Sequence, residues 1–397
     1  MATEMTPSSG PDMAVDPASA QGAQIPLQSF NLPDFPPSAS GLRALTLTSD
    51  IKVDEYQAEL DKPYSIPELP SSIESLTLEL FSLGYPAGFL TALSERLPNL
   101  KSVVIYSQLF AGISTESQKD AVAFFKNLPN LRALHLLDVF AKAHFFEDVS
   151  KWLKYNTSEV PGEARRGLMF LEVNYTFRHE DEEFMAKIQA TELPMLIGPG
   201  LISCSFNLSE PESAADDEDD PATIQGAGDK EGIMAFNKSL ATYLVDALTD
   251  EESSPKGLRA LNTALYTLTS EQLESILKVQ KNVMVLQVTA EVEPGEKYKK
   301  SLLQAMEPCK SLEQIEVCAN PTLEFFVTVQ NPRAGVLGKT FPSADDLDAL
   351  SKTSENLASF KANVLRTTTL GTVEWTKKDG KWQGGVQEGK GMKSVKA

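Results

Sequence analysis

The chain has 397 residues, 42% of them hydrophobic, and a formal net charge of -19 at pH 7. It is long enough to bury a large core, and its acidity argues against a nucleic-acid or anionic-membrane surface, because phosphate binding depends on clustered lysine and arginine. Basic or neutral protein partners fit this charge better. No apolar stretch is long enough to cross a membrane and the first residues lack a secretory signal, so we expect a cytoplasmic or nuclear protein.

The first part of the chain has the composition of a disordered segment. Residues 1–39 are rich in Pro, Ser, Ala and Gln and contain few large apolar side chains, so burial cannot offset the entropy lost on ordering. We therefore predict a disordered arm over residues 1–39. Its last part contains Phe30 and Phe35, and two placements stay open, since it could cap the repeats described next or cover their binding face.

From about residue 40 onward, one spacing of apolar residues returns along the chain. In Leu131-Arg132-Ala133-Leu134-His135-Leu136 the apolar side chains stand at the first, fourth and sixth positions. The fourth and sixth positions point to one face of an extended chain and their neighbours to the other, so each copy predicts a short, half-buried strand. The spacing is also found at Leu42/Leu45/Leu47, Ile73/Leu76/Leu78, Leu100/Val103/Ile105, Leu168/Leu171/Val173, Leu201/Cys204/Phe206, Val283/Leu286/Val288 and Leu312/Ile315/Val317, with weaker copies at Leu258/Leu261 and Leu357/Phe360.

Before most of these rows, apolar residues recur three and four positions apart, which predicts a helix with one buried stripe. Two of these helices are predicted to end in the same four residues, at Leu97-Pro98-Asn99-Leu100 and at Leu128-Pro129-Asn130-Leu131. Proline ends a helix and turns the chain into the next strand. Helices and strands that alternate in one direction predict parallel strands with helices on one side, and stacked units of this kind share a continuous core.

The pattern resembles the leucine-rich repeat of the long, irregular kind found in ribonuclease-inhibitor-like and F-box-associated proteins, over roughly residues 40–375. The resemblance implies an α/β fold: a right-handed, horseshoe-shaped solenoid over residues 40–386 with about ten irregular repeats, parallel strands on the concave face and helices on the convex face. The family's asparagine or cysteine after each strand is mostly absent, and only Asn320 fits, so we expect wider, less regular turns. The alternative is that some rows are strands of a doubly wound sheet with helices on both faces.

An acidic insertion interrupts the predicted solenoid at residues 209–232. It is centred on Asp216-Asp217-Glu218-Asp219-Asp220-Pro221 and contains no apolar period. Like charges at this density repel one another and keep a chain extended. The insertion is therefore predicted to be a solvated loop of one repeat, a tether for a basic partner, or a regulated segment.

The end of the chain predicts a hairpin followed by a tail. Asp379-Gly380 lies between two short runs that contain Trp375 and Trp382, and this residue pair favours a type I′ turn. We predict a hairpin cap over residues 371–384, with both tryptophans on one face. The basic tail, residues 387–397, is predicted to be disordered.

The residues that could carry chemistry form no recognisable motif. The cysteines and histidines, which are Cys204, Cys309, Cys318, His135, His144 and His179, show neither metal-ligand nor disulfide spacing. Gly338-Lys339-Thr340 lacks the earlier glycine of a phosphate-binding loop, because Arg333 stands at that position. We therefore expect no enzyme activity, no metal site and no cofactor.

The remaining candidate site is the outward-facing surface of the strands. Solenoids bind partners through this surface because it is long and rigid, and aromatic side chains often dominate binding energy. The outward positions are unusually apolar in one region. The predicted partner-binding residues are Val104, Tyr106, His135, Leu137, Phe170, Glu172 and Asn174.

These observations predict a non-enzymatic, intracellular protein whose concave face binds another protein. A second hypothesis is a substrate-recognition adaptor of a ubiquitin ligase, because F-box proteins often carry such repeats. The proline-rich residues before the first repeat do not predict the helical module that this role requires. A third hypothesis is an enzyme with an unrecognised site in the concave face.

Overall fold

The computed structural model describes residues 22–154, 167–176, 184–209, 230–322, 335–364 and 371–388, and over these residues strands and helices alternate. The strands are β1 Gly22–Leu27, β2 Ala44–Ser49, β3 Ser75–Glu79, β4 Ser102–Tyr106, β5 Ala133–Leu137, β6 Phe170–Thr176, β7 Ser203–Ser209, β8 Ala260–Leu268, β9 Val285–Val292, β10 Gln314–Pro321, β11 Ser359–Val364, β12 Gly371–Lys378 and β13 Lys381–Glu388. The helices are α1 Val53–Leu60, α2 Phe89–Glu95, α3 Thr115–Lys126, α4 Phe145–Leu153, α5 Phe184–Lys187, α6 Lys230–Thr249, α7 Ser270–Val279, α8 Glu296–Met306, α9 Val336–Thr340 and α10 Ala344–Ser351. The predicted repeated strand–helix pattern is confirmed.

The strands form one open sheet and lie side by side in chain order. Every neighbouring pair from β1 to β11 is parallel. The last two strands, β12 and β13, run antiparallel to their neighbours. The predicted α/β class with a mostly parallel sheet is therefore confirmed, and the middle of the described sheet contains no antiparallel pair.

The apolar rows of the sequence lie next to one another across the sheet. One such line runs from β2 to β11 through Leu45, Leu76, Val103, Leu134, Leu171, Cys204, Leu261, Leu286, Ile315 and Phe360, and each of these side chains is at most 2% exposed. From β2 to β7 the buried positions alternate with half-exposed or exposed ones. One face of the sheet is thus buried, and the other, called the open face below, meets solvent.

Asparagine side chains link neighbouring units at the amino ends of the strands. The two Leu-Pro-Asn-Leu sequences place Asn99 and Asn130 just before β4 and β5. Asn99 Nδ2 donates to the carbonyl oxygen of Ser71 at 2.9 Å, and Asn130 Nδ2 donates to that of Pro98 at 3.2 Å. The repeated sequence therefore ends a helix and also binds the preceding unit.

At the carboxyl ends of the strands, the hydrogen-bond donors differ from unit to unit. Ser107 Oγ donates to the carbonyl oxygen of Phe81 at 2.7 Å. The buried Asn320 Nδ2 donates instead to the hydroxyl of Thr267 at 2.9 Å. This variety fits the expectation of irregular turns.

Only residues 22–39 of the predicted disordered arm, residues 1–39, lie in the described part of the chain, and these are ordered. Residues 22–27 form β1, which pairs with β2, and Leu27 and Phe30 are buried. The Phe30 ring lies 5.9 Å from that of Tyr56 and 5.3 Å from that of Phe89. Ordering occurs because alternate side chains of this segment, Ala23, Ile25 and Leu27, are half-buried or buried beside β2, which an average over 39 residues conceals. Residues 1–21 lie outside the described part.

The hairpin near the end of the chain joins β12 to β13. Asp379 and Gly380 both have positive φ, 51° and 75°, as a type I′ turn requires. The register places Trp375 and Trp382 on one face of the hairpin, and Trp375 Nε1 donates to the carbonyl oxygen of Pro342 at 3.1 Å. Because β13 continues to residue 388, the hairpin extends past the predicted limit of 384.

The other predicted boundaries fall partly outside the described residues. Of the acidic insertion at 209–232, residue 209 ends β7 and residues 230–232 begin α6, while residues 210–229 are not described. Of the tail at 387–397, residues 387–388 belong to β13 and the rest is not described. None of the described helices combines the length and the apolar composition needed to span a bilayer.

Candidate functional site

The seven predicted binding residues lie together on the open face, on the neighbouring strands β4, β5 and β6. Val104 pairs with His135, and His135 pairs with Glu172. Asn174 pairs with Leu137. Adjacent strands are about 4.8 Å apart, so the side chains form one continuous surface. We call Val104, Tyr106, His135, Leu137, Phe170, Glu172 and Asn174 the strand-face patch.

The apolar part of this patch is accessible without being fully solvent-exposed. Tyr106, at the end of β4, is 43% exposed, whereas Val104, Leu137 and Phe170 are half-buried by their neighbours on the sheet. Backbone pairing on both sides holds β5 in place. The patch therefore presents an aromatic and aliphatic surface that is already ordered.

One polar side-chain contact crosses the patch. His135 Nδ1 lies 3.3 Å from Glu172 Oε2, and the two side chains are 38% and 42% exposed. Exposed pairs of this kind contribute little to stability. Their donor and acceptor groups can therefore exchange the intramolecular contact for a partner at small cost.

Polar side chains flank the patch on both sides. Toward β2, the Thr48 hydroxyl donates to Glu79 at 3.0 Å. Toward β7, the Ser209 hydroxyl donates to Asn174 Oδ1 at 3.0 Å. An apolar centre with a polar border is the usual composition of a protein-binding surface.

The ionisable groups with the largest pKa shifts lie in the core rather than on the open face. Burial raises the pKa of Tyr85, Tyr175, Tyr266 and Cys204. In the described part of the chain, no group of three or more His, Cys, Asp or Glu side chains is placed to hold a metal ion. The strand-face patch itself offers hydrogen bonding and apolar contact.

Two other features that the sequence singled out have local structural roles. His144 is exposed at the N-cap position of α4, and its Nδ1 lies 3.0 Å from Glu147 Oε2, the acceptor of its hydrogen bond. This hydrogen bond and the charge of Glu192 raise the pKa of His144. Thr340, in the Gly-Lys-Thr sequence, is buried; its hydroxyl donates to the Val336 carbonyl at 2.7 Å and accepts from Gly295 N at 2.9 Å. The Thr340 hydroxyl therefore stabilises the fold. His179 lies outside the described residues.

Leu80 is a surface residue that the repeat spacing missed. It follows β3, is 53% exposed, and its N–H donates to the carbonyl oxygen of Tyr106 at 2.9 Å. No sequence signal marks it, because it lies in a loop between repeats.

The chain matches no model of a known protein family, and no curated protein matches it.

Proposed function

We propose that this chain is a leucine-rich-repeat-like protein that binds another protein through the strand-face patch and has no catalytic role. In this proposal the units form a right-handed horseshoe of about ten irregular repeats, with the open face concave and the helices convex. The proposal rests on one observation, the register that joins Val104, His135 and Glu172 across β4, β5 and β6.

The order of the patch before binding supports this role. Its residues stand on paired strands rather than on loops, so a partner does not have to order the backbone on binding. Tyr106 and Phe170 supply aromatic surface, and aromatic residues are enriched among those that contribute most to interface energies. A rigid apolar surface with two aromatic side chains favours a protein partner over a small polar ligand.

Charge supports a basic or neutral partner. The chain has a formal charge of -19, Glu172 belongs to the patch, and Glu79 lies beside it as the neighbour of Tyr106. A negative surface accelerates association with a positive partner and opposes an acidic one. The adaptor hypothesis differs from this proposal in the identity of the partner and not in the binding surface. One experiment therefore tests both hypotheses.

The test is affinity capture from native lysate followed by direct binding of the purified captured protein. The wild-type chain is compared with Tyr106→Asp, Phe170→Asp, which places two carboxylates in the patch. The control is Thr46→Asp, Gln287→Asp, which places two carboxylates at outward positions of β2 and β9, outside the patch. Circular dichroism and the midpoint of urea unfolding verify that each variant is folded.

We expect the patch variant to lose at least about tenfold in affinity for the captured protein, because hot-spot residues account for most of an interface's energy. The control should bind like the wild type. Equal loss in both variants, or retention by the patch variant, refutes the proposal. Ubiquitin-ligase subunits among the selectively lost proteins would identify an adaptor, and their absence would leave a simple binding protein.

A further inference from the structure

A second group of exposed apolar side chains lies at the carboxyl end of β4 and in the segments just after β2, β3 and β4. It consists of Val53, Leu80, Leu83, Tyr106 and Ile113, which are 78%, 53%, 40%, 43% and 72% exposed. Most of the large hydrophobic side chains that are exposed in the described residues belong to this group. Scattered exposed hydrophobic residues are ordinary, whereas a concentration of them marks an interaction surface. We call these five residues the loop rim.

The loops that carry the rim pack against one another. The N–H of Leu80 donates to the Tyr106 carbonyl oxygen at 2.9 Å. Gly84, next to Leu83, approaches the following loop so closely that a Cβ atom at this position would lie 3.1 Å from the Leu109 carbonyl oxygen and 3.8 Å from the Cα of Gly112. Leu83 and Ile113 are therefore carried by loops in direct contact.

The conformation of Leu80 is unfavourable for leucine in two respects. Its φ is +62°, in the left-handed region, where Asn and Gly are more stable than residues with a large apolar side chain. Its side chain also faces solvent while the next residue, Phe81, is fully buried. Asparagine would suit both the backbone and the exposure, so leucine here favours a state in which something covers it.

The sequence stretches that carry the rim are nearly all acidic in their charged residues. Stretches 50–55, 79–83 and 106–116 contain Asp50, Asp54, Glu55, Glu79 and Glu116, against one lysine, Lys52. That lysine already pairs with Glu55 at 3.4 Å. An apolar surface bordered by carboxylates complements a segment that carries apolar and positively charged side chains, and it repels an anionic membrane or a second copy of this acidic chain.

We propose that the loop rim docks a cationic amphipathic segment of a partner protein. Apolar side chains of that segment contact Leu80, Leu83 and Ile113, and its lysine or arginine side chains meet the surrounding carboxylates. The surface adjoins the strand-face patch through Tyr106 but does not depend on the proposed function, because its other four residues are not part of that patch.

The probe is a synthetic amphipathic helical peptide of about fourteen residues, roughly four turns, with leucine on one face and lysine on the other. A second peptide has glutamate in place of every lysine. Fluorescence anisotropy measures both against the full chain, the rim variant Leu80→Asn, Ile113→Asn, and a control variant Tyr243→Gln, Val279→Gln. The control removes two exposed hydrophobic side chains, 49% and 47% exposed, from helices away from the rim.

Both variants keep every charge of the chain, so they separate the rim from general attraction between a positive peptide and an acidic protein. We expect the lysine peptide to bind, the rim variant to weaken binding at least about tenfold, and the control to bind like the wild type. The glutamate peptide should bind far more weakly. No binding of the lysine peptide, equal binding by the rim variant, or equal binding of both peptides overturns the proposal.

Light scattering tests the other possible occupant of the rim, a second copy of this chain. If the chain self-associates and the rim variant abolishes that self-association, the rim is an interface between copies and the proposal fails. The outcome of this test is independent of the strand-face test, because Tyr106 and Phe170 are unchanged in the rim variant.

Discussion

The hydroxyl group of Tyr175, in β6, donates a hydrogen bond of 2.7 Å to the carbonyl oxygen of Val139, in the loop after β5. Both residues are fully buried. Tyr56 and Tyr266 make equivalent bonds to the carbonyl oxygens of Gly84 and Ala190 at 2.9 and 2.7 Å. Buried carbonyl groups without a partner are costly, so these tyrosines stabilise the segments that carry Gly84, Val139 and Ala190.

Replacing Tyr175 with phenylalanine should lower the free energy of unfolding by about 1–3 kcal/mol, because the buried Val139 carbonyl loses its donor. Urea unfolding followed by circular dichroism measures the change. The matched control is Tyr106→Phe, since Tyr106 is 43% exposed, and it should change the free energy of unfolding by less than about 0.5 kcal/mol. Equal stability of Tyr175→Phe and the wild type would show that this bond contributes nothing.

Burial raises the pKa of Tyr85, Tyr175 and Tyr266 above the ordinary value of 10.0. Above that pH the unfolded chain releases these protons and the folded chain keeps them, so the stability present at neutral pH falls as pH rises. We expect alkaline unfolding in which phenolate absorbance and the loss of circular dichroism change together. Ionisation of these hydroxyls in a chain with intact circular dichroism would contradict it.

Phe30→Ala should destabilise the fold by about 3–5 kcal/mol, the usual cost of removing a large aromatic side chain from a core. Phe30 is 2% exposed and contacts the rings of Tyr56 and Phe89. Thermal or urea unfolding provides the measurement. Phe35→Ala is the comparison, since Phe35 is only half-buried, and it should cost clearly less. Similar effects of the two variants would mean that Phe30 is not part of the core.

Leu80→Asn should stabilise the isolated chain by about 0.5–1 kcal/mol, because it removes part of the cost of a left-handed leucine, which is about 1–2 kcal/mol. The neighbouring change Phe81→Asn should strongly destabilise it, since Phe81 is fully buried. Differential scanning calorimetry compares the two with the wild type. A lower melting temperature for Leu80→Asn would show that its side chain supports the fold and would remove one reason to assign it to binding.

The His135–Glu172 pair should contribute little to folding. Both side chains are more than a third exposed, so a double-mutant cycle with His135→Ala and Glu172→Ala should give a coupling energy below about 1 kcal/mol. The same variants should alter binding of the captured partner. A coupling energy well above that value would assign the pair to the fold instead.

The apolar rows were sufficient to predict strands, the face of each strand that is buried, and residues that lie side by side. Side chains of a strand alternate between its two faces with a period of two residues. Parallel strands with the same apolar spacing therefore stack in register. Val104, His135 and Glu172 were therefore predicted as neighbours from three separate stretches of sequence, and the register joins them. The hairpin turn was readable for a similar local reason, because Asp379-Gly380 favours positive φ at both residues.

Features that depend on contacts between distant segments were not readable. The β1 segment contains Pro26 and only two large apolar residues, and its burial depends on the adjacent strand β2 and on Tyr56 and Phe89. The bond from Tyr175 to Val139 joins residues 36 positions apart. The loop rim has no period, because the turn after β3 decides that Phe81 enters the core and Leu80 faces solvent. Local patterning thus determined the strands and their buried face, whereas packing between units decided the edges, the turns and the exposed apolar surface.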